Sequence, residues 1–289
     1  MNNEVMNNKA IKASSRLLLV GGGGGGGTGK TTLSIALVDY FTARHIPVVL
    51  IDAESEPKPK GRLRCYFPEA LELNIHSNST LDKAGSPAVN ERKLTLVDLG
   101  AGAGPRVLEW LRKTLVAFRR QTVPITLLCP VTSAPQTLTC VVRWVNELQD
   151  AVSYLMVKND RDQGGFAHLD SPTGTAFRTQ YRPLFINLAY RNPDIYSILE
   201  GKNLSPGQAL ELYNRASIDG EARERLGVLD DAIIMAHIES DRDQIFEQFD
   251  SVIDLLIPEQ IDIIPNLSLP EPCGSNLRVP EPPDFDVTE

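Results

Sequence analysis

The stretch RLLLVGGGGGGGTGKTTLSIALVDYFTAR, Arg16 to Arg44, decides how the rest of this chain is read. Four consecutive apolar residues, Leu17 to Val20, run into glycines, which suits a short buried strand ending in a turn. From Lys30 onward apolar residues recur at helical spacing (Leu33, Ala36, Leu37, Tyr40, Phe41), so a helix follows at once. Between strand and helix, Gly24 to Thr31 fits the phosphate-binding pattern G-x-x-x-x-G-K-[ST]. Glycines let the backbone turn tightly and bring N–H groups close to phosphate oxygens. Lys30 would reach the β- and γ-phosphates as a point charge, and the Thr31 hydroxyl would bind Mg²⁺. The following helix would aim its positive end at the same phosphates. The bland alternative is a flexible Gly-rich linker that happens to end in Gly-Lys-Thr. Linkers rarely join a buried strand directly to a helix.

Working outward, Pro47 to Asp52 and Leu94 to Asp98 each read as a buried strand ending in an acid. Pro105 to Arg120 reads as a helix, Ile125 to Cys129 as a strand and Gln136 to Gln149 as a helix. Val152 to Val157 and Leu184 to Ala189 are further strands. The clearer strands are apolar throughout rather than alternating. This predicts an α/β fold: a mostly parallel sheet with helices on both faces. Asn192 to Ile257 reads as mainly helical, with Ser205 as an N-cap before Pro206. Residues 55–93 hold Pro57, Pro59, Gly61, Pro68, Gly85 and Pro87 and read as less regular. The expected organisation is a flexible tail over 1–15, one domain over 16–257 and a proline-rich, disordered tail over 258–289.

Composition bounds the function. The 289 residues are 42% hydrophobic and 23% charged, as in a soluble globular protein. No apolar run is long enough for a membrane span. The polar N-terminus does not read as a signal peptide, and Cys65, Cys129, Cys140 and Cys273 lie far apart without a C-x-x-C pair. A cytoplasmic location follows as the expectation. Cys129 and Cys140 lie in apolar surroundings and read as small core residues. The net charge of −8 argues against a general-purpose nucleic-acid binder. Positive charge is local, in Lys58, Lys60, Arg62 and Arg64 and again in Arg112, Lys113, Arg119 and Arg120. Each run is either a solvated face or a patch for DNA or a partner.

The strand-end acids are the candidates for handling metal and water. Asp98 precedes a Gly-rich turn, so its carboxylate should sit at the carboxyl end of the sheet, where ligands bind in such folds, and contact Mg²⁺. Asp52 is the candidate for aligning water or supporting the metal, with Lys30 as the other catalytic candidate. The competing reading of each acid is a turn or N-cap residue. Asn159 ends an apolar strand. It can read a base edge, or it is a turn asparagine.

The run Gly26-Gly27-Thr28-Gly29-Lys30-Thr31-Thr32, its helix and the strand ending at Asp52 resemble the ParA/MinD-type deviant Walker A P-loop ATPases. Val97-Asp98-Leu99-Gly100-Ala101-Gly102 resembles that family's second acidic strand end, and Val157-Lys158-Asn159-Asp160 the strand end whose asparagine contacts the base. The resemblance covers roughly residues 16–190 and is thinner after residue 54. It implies ATP and Mg²⁺ as cofactors, with Gly26 to Thr32 and Asn159 on the nucleotide and Thr31 and Asp98 on the metal. It further implies ATP hydrolysis, a nucleotide-dependent homodimer, and a DNA-binding adaptor or relaxase-type partner. Non-specific DNA is a further candidate ligand. The setting would be plasmid stability, segregation or conjugal transfer.

One departure matters. The family's signature lysine position is Gly25 here, and the family's frequent D-x-D is Asp52-Ala53-Glu54. In relatives that lysine reaches across the dimer to the partner's phosphates, so hydrolysis here would be slow or absent. Two other classes stay open: a small-molecule ligase or kinase like dethiobiotin synthetase, and a nucleotide-binding adaptor that does not hydrolyse.

Overall fold

The computed structural model describes residues 15–22, 24–54, 61–75 and 78–258. The tails expected over 1–15 and 258–289 fall outside these residues except for Ser15 and Pro258, as do Lys58, Lys60 and Cys273. Among the described residues seven strands form one parallel sheet: β1 (Arg16–Val20), β2 (Val49–Ala53), β3 (Leu71–Glu72), β4 (Leu94–Leu99), β5 (Ile125–Val131), β6 (Ser153–Asn159) and β7 (Leu184–Leu188). Their order across the sheet is β3-β2-β4-β1-β5-β6-β7.

Side chains alternate between the two faces of a strand, so an all-apolar strand needs a helix layer on each side. Leu17, Leu19, Ile51, Val97 and Leu127 pack into one core with α3 (Asn78–Asn90), α4 (Gly104–Arg120) and α5 (Pro135–Leu148). Leu18, Val20, Leu50, Leu96 and Leu128 pack into a second with α1 (Lys30–Ala43), α2 (Leu63–Tyr66), α10 (Ala232–Asp250) and α11 (Ile253–Leu256). The same alternation turns Asp52, next to Ile51, and Asp98, next to Val97, toward the α1 face. On the other side of the sheet, α6 (Pro172–Tyr181) adds Phe177 to the first core.

A third cluster joins α7 (Pro193–Lys202), α8 (Pro206–Ala216), α9 (Gly220–Leu226) and the start of α10. This is the helical C-terminal part read from the sequence. Ser205 caps α8 as expected, accepting from Gln208 N–H while Gln208 reaches back to the Ser205 N–H.

The described part of residues 55–93, that is 61–75 and 78–93, is more regular than the sequence suggested. It holds α2, β3 and the thirteen-residue α3, with Pro87 inside that helix. Packing outweighs local propensity there: Leu81, Ala84 and Ala88 are buried in the first core. Gly85 is needed for the close approach of α4, since a Cβ would lie 2.9 Å from Phe118 Cζ. Helix α6 was also missed, although Ser171 caps it before Pro172 just as Ser205 caps α8.

Two contacts fix α1 against the C-terminal helices. Tyr40 meets Phe246 and Phe249 edge-on, at 5.3 and 5.2 Å between centroids, and donates to Asp250 Oδ1 at 2.7 Å. Asp39 is buried and accepts from Ser205 Oγ at 2.6 Å and from Gly207 N–H at 2.7 Å. Burial outweighs these bonds and the Arg242 charge, and raises the Asp39 carboxyl from 3.8 to about 6.

The native state therefore holds a proton on Asp39 between about pH 4 and 6 that the unfolded chain releases, so this group's contribution to stability falls as pH rises through that window. Asp39→Ala should lose about 1–3 kcal/mol, because Ser205 and Gly207 lose their acceptor. Urea denaturation between pH 4 and 7 measures both. The variant should be less stable, with that part of the pH slope gone.

Candidate phosphate-binding site

The chain leaves β1 and β4 in opposite directions. After β1, α1 carries it past β4 to β2, while after β4, α4 carries it past β1 to β5. A crevice opens at the carboxyl end of the sheet where such connections diverge. The glycine loop lies in it, between Val20 and Lys30.

Three carbonyls of this loop are tied back. Lys30 Nζ donates to Gly25 O at 3.0 Å, Arg161 to Gly27 O at 2.6 Å, and Asn159 Nδ2 to Thr28 O at 3.0 Å. A peptide's N–H points opposite its C=O, so these ties turn the N–H groups of Gly26, Thr28 and Gly29 the other way. Among the described residues none of the three donates to a backbone carbonyl. Helix α1 then opens with no side-chain cap and no acid in its first turn, leaving its positive end uncompensated. The loop is therefore an array of open donors beside the Lys30 ammonium, the arrangement that receives a phosphate.

Not every glycine in the run is required. Gly29 sits at φ +90°, and a Cβ there would fall 2.1 Å from Asn159 Nδ2. Gly24 sits at φ +86°, and its Cβ would fall 2.6 Å from Cys140 Sγ. Gly25 has a negative-side backbone and nothing within 4 Å, so a side chain fits.

Asp98 stands on β4 in register with Asp52 on β2. Burial raises its carboxyl from 3.8 to about 7; the Thr31 and Ser34 hydroxyls and the Lys30 charge pull it down, and Asp52 pushes it further up. Asp98 Oδ1 is buried without a hydrogen-bond partner. An orphaned carboxylate oxygen beside the Thr31 hydroxyl is an all-oxygen set suited to a hard divalent cation, so these residues fit Mg²⁺.

Asp52 is placed differently from a free water-aligning acid. It is fully buried. Its Oδ1 accepts from Glu54 N–H and its Oδ2 from Arg64 N–H, both at 3.0 Å, with Arg62 Nε 3.4 Å from Oδ2. Arg62 and Arg64 also pair with Glu72. In that half of the first basic run Arg62 is largely covered and holds the segment after β2 through Asp52, while Arg64 and Glu72 form an exposed pair beside it. In the second run, Arg112 and Lys113 pair with Glu147 and Glu109, while Arg119 and Arg120 are exposed.

Among the described residues, two of the three cavities that border the loop flank Lys30 and its ends. One of about 380 Å³ is lined by Gly27, Gly29, Asn159, Arg161, Tyr66 and Tyr196, among others. The other, about 230 Å³, lies between the loop, the turn at Gly100 to Gly104, and α5. Thus the structure brings together Gly26 to Thr32, Lys30, Asp98 and Asn159. Arg161, Ser34 and the lining of the two cavities were not read from the sequence. Arg161 follows Asn159 by two residues with nothing in its type to mark it.

Strand, glycine loop and helix follow one another at the carboxyl end of a parallel sheet covered by helices on both faces. No protein-family model matches the chain, and no curated protein matches it. Among solved structures it is similar to the signal recognition particle receptor FtsY from Elizabethkingia anophelis in complex with GDP, at 15% identity and a TM-score of 0.38. That likeness covers 62% of this chain and 58% of FtsY, so the chain spans a little over half of that protein's length.

The clamp makes a local prediction. Gly29→Ala forces a strained backbone and a clash, and should cost about 1–3 kcal/mol. Gly25→Ala should stay within about 0.5 kcal/mol of the parent. Chemical denaturation of the two variants compares them directly.

Proposed function

We propose that this chain is a Mg-ATP-binding ATPase of the ParA/MinD type that works as a nucleotide switch. The observation that carries the reading is the loop. Its carbonyls are tied down, its N–H groups are open, and Lys30 and the uncapped end of α1 face the same crevice. The triphosphate would lie along Gly26 to Thr32. A nucleoside would extend into the 380 Å³ cavity, against Asn159 and the rings of Tyr66 and Tyr196. Thr31 and Asp98 would hold magnesium, which supplies charge neutralisation at the phosphate oxygens.

In this reading Asn159 acts through the loop, by fixing the Thr28 carbonyl, as well as facing the nucleoside. Asp52 is a positioning residue: it sets the segment after β2 through Arg62 and the Arg64 N–H, and its charge keeps Asp98 from ionising early. ATP rather than GTP rests on the resemblance. So do a nucleotide-dependent homodimer, a DNA-binding adaptor or relaxase-type partner, non-specific DNA as a further ligand, a cytoplasmic location, and a role in plasmid stability, segregation or transfer. Among the described residues no helix is long and apolar enough to cross a membrane.

Titration calorimetry with ATP and magnesium tests the site. The parent should bind and Lys30→Ala should not; equal binding by both would remove the loop from the account. Asp98→Asn should weaken the magnesium dependence of binding by about tenfold or more while magnesium-free binding changes little. Gly25→Lys should fold normally and raise turnover at concentrations where dimers form. Unchanged turnover would argue against a site shared across a dimer.

A further inference from the structure

The 230 Å³ cavity beyond Lys30 is not needed for a nucleoside, which has the larger cavity on the other side. Its walls are glycines (Gly21, Gly22, Gly24, Gly25, Gly100, Gly102, Gly104), apolar residues and two cations, Lys30 and Arg143. Among the described residues no carboxylate lines it, although Glu54 stands behind the wall at Gly100. Helix α5 supplies Cys140, Arg143 and Trp144 to the wall, and their spacing of three and four puts them on one stripe of the helix. That stripe is against the loop: Cys140 Sγ is so near Gly24 that no Cβ fits between them. Trp144 is buried and anchors the stripe, while Arg143 is exposed at its edge. Among the described residues Arg143 has no ion-pair or hydrogen-bond partner, although Arg112 nearby is paired to Glu147.

An arginine on helix α5, without a partner among the described residues and at the edge of a cavity it shares with the loop lysine, is placed for an anion. A magnesium-bound nucleoside triphosphate remains doubly negative, and Lys30 balances one of those charges. We infer that Arg143 contacts the terminal phosphate of the bound triphosphate, and that this contact lets the protein distinguish tri- from diphosphate. The inference rests on the nucleotide reading of the loop. It places the β-phosphate under the loop amides and Lys30, and the γ-phosphate toward α5, whose Arg143 is the second cation on the cavity wall. Planar, bidentate donation suits a phosphate better than the point charge of a lysine would.

The test compares two ligands on each protein. The parent, Arg143→Ala, Arg143→Lys and Arg112→Ala are titrated by calorimetry with a non-hydrolysable ATP analogue and with ADP, both with magnesium. Arg143→Ala should lose about tenfold in affinity for the triphosphate analogue, the worth of one charge-assisted hydrogen bond, and less than about twofold for ADP. Arg143→Lys should fall between, and Arg112→Ala should match the parent. Arg143 is exposed, so folding should survive; far-ultraviolet circular dichroism checks that. Equal losses for both ligands, or no loss for the analogue, would overturn the inference while leaving the loop reading intact. A parent that binds neither ligand would overturn both.

Discussion

The site depends on carbonyl groups rather than on the amides that would meet a ligand. Asn159, Arg161 and Lys30 each pull one loop carbonyl aside, and planar peptides do the rest. A loop this rich in glycine has many conformations to lose on ordering. The clamp from the ends of β6 and α1 is what makes one of them persist. Gly29 is the point where the constraint is tightest, because the Asn159 amide occupies the space a side chain would need.

The sheet gives that clamp its position. Strand β6 lies two places from β1, beyond β5, yet its carboxyl end carries Asn159 to the loop. The register of β2, β4 and β1 brings Asp52, Asp98 and Val20 to one level. Two buried carboxylates on adjacent strands cannot both ionise cheaply. The structure separates them: Asp52 receives Arg62 and two backbone N–H groups, and Asp98 is left with one oxygen unmatched. That inequality leaves Asp98 with the unmatched oxygen and makes Asp52 the group that holds the chain around it.

Much of this was legible in the sequence because the signals were local. An apolar run into glycines, then Lys30 and helical spacing, defines strand, loop and helix within thirty residues. Asp52 and Asp98 were readable as strand ends for the same reason. What was not legible depended on distant packing. Helix α3 contains Gly85 and Pro87 and forms because α4 and the sheet bury one side of it. Asn159 was readable as a strand end, but its bond to Thr28 spans 131 residues of sequence. Arg161 and Arg143 carry no pattern at all and gain meaning only from what the fold sets beside them. Helix α6 is a different failure, since Ser171-Pro172 is a start signal of the kind recognised at Ser205-Pro206.

Amide hydrogen exchange, read by mass spectrometry with and without Mg-ATP, tests the central claim most directly. If the loop amides gather a triphosphate, exchange should slow most in peptides covering Gly24 to Thr32. Unchanged exchange there at saturating nucleotide, or protection confined to other segments, would contradict the account.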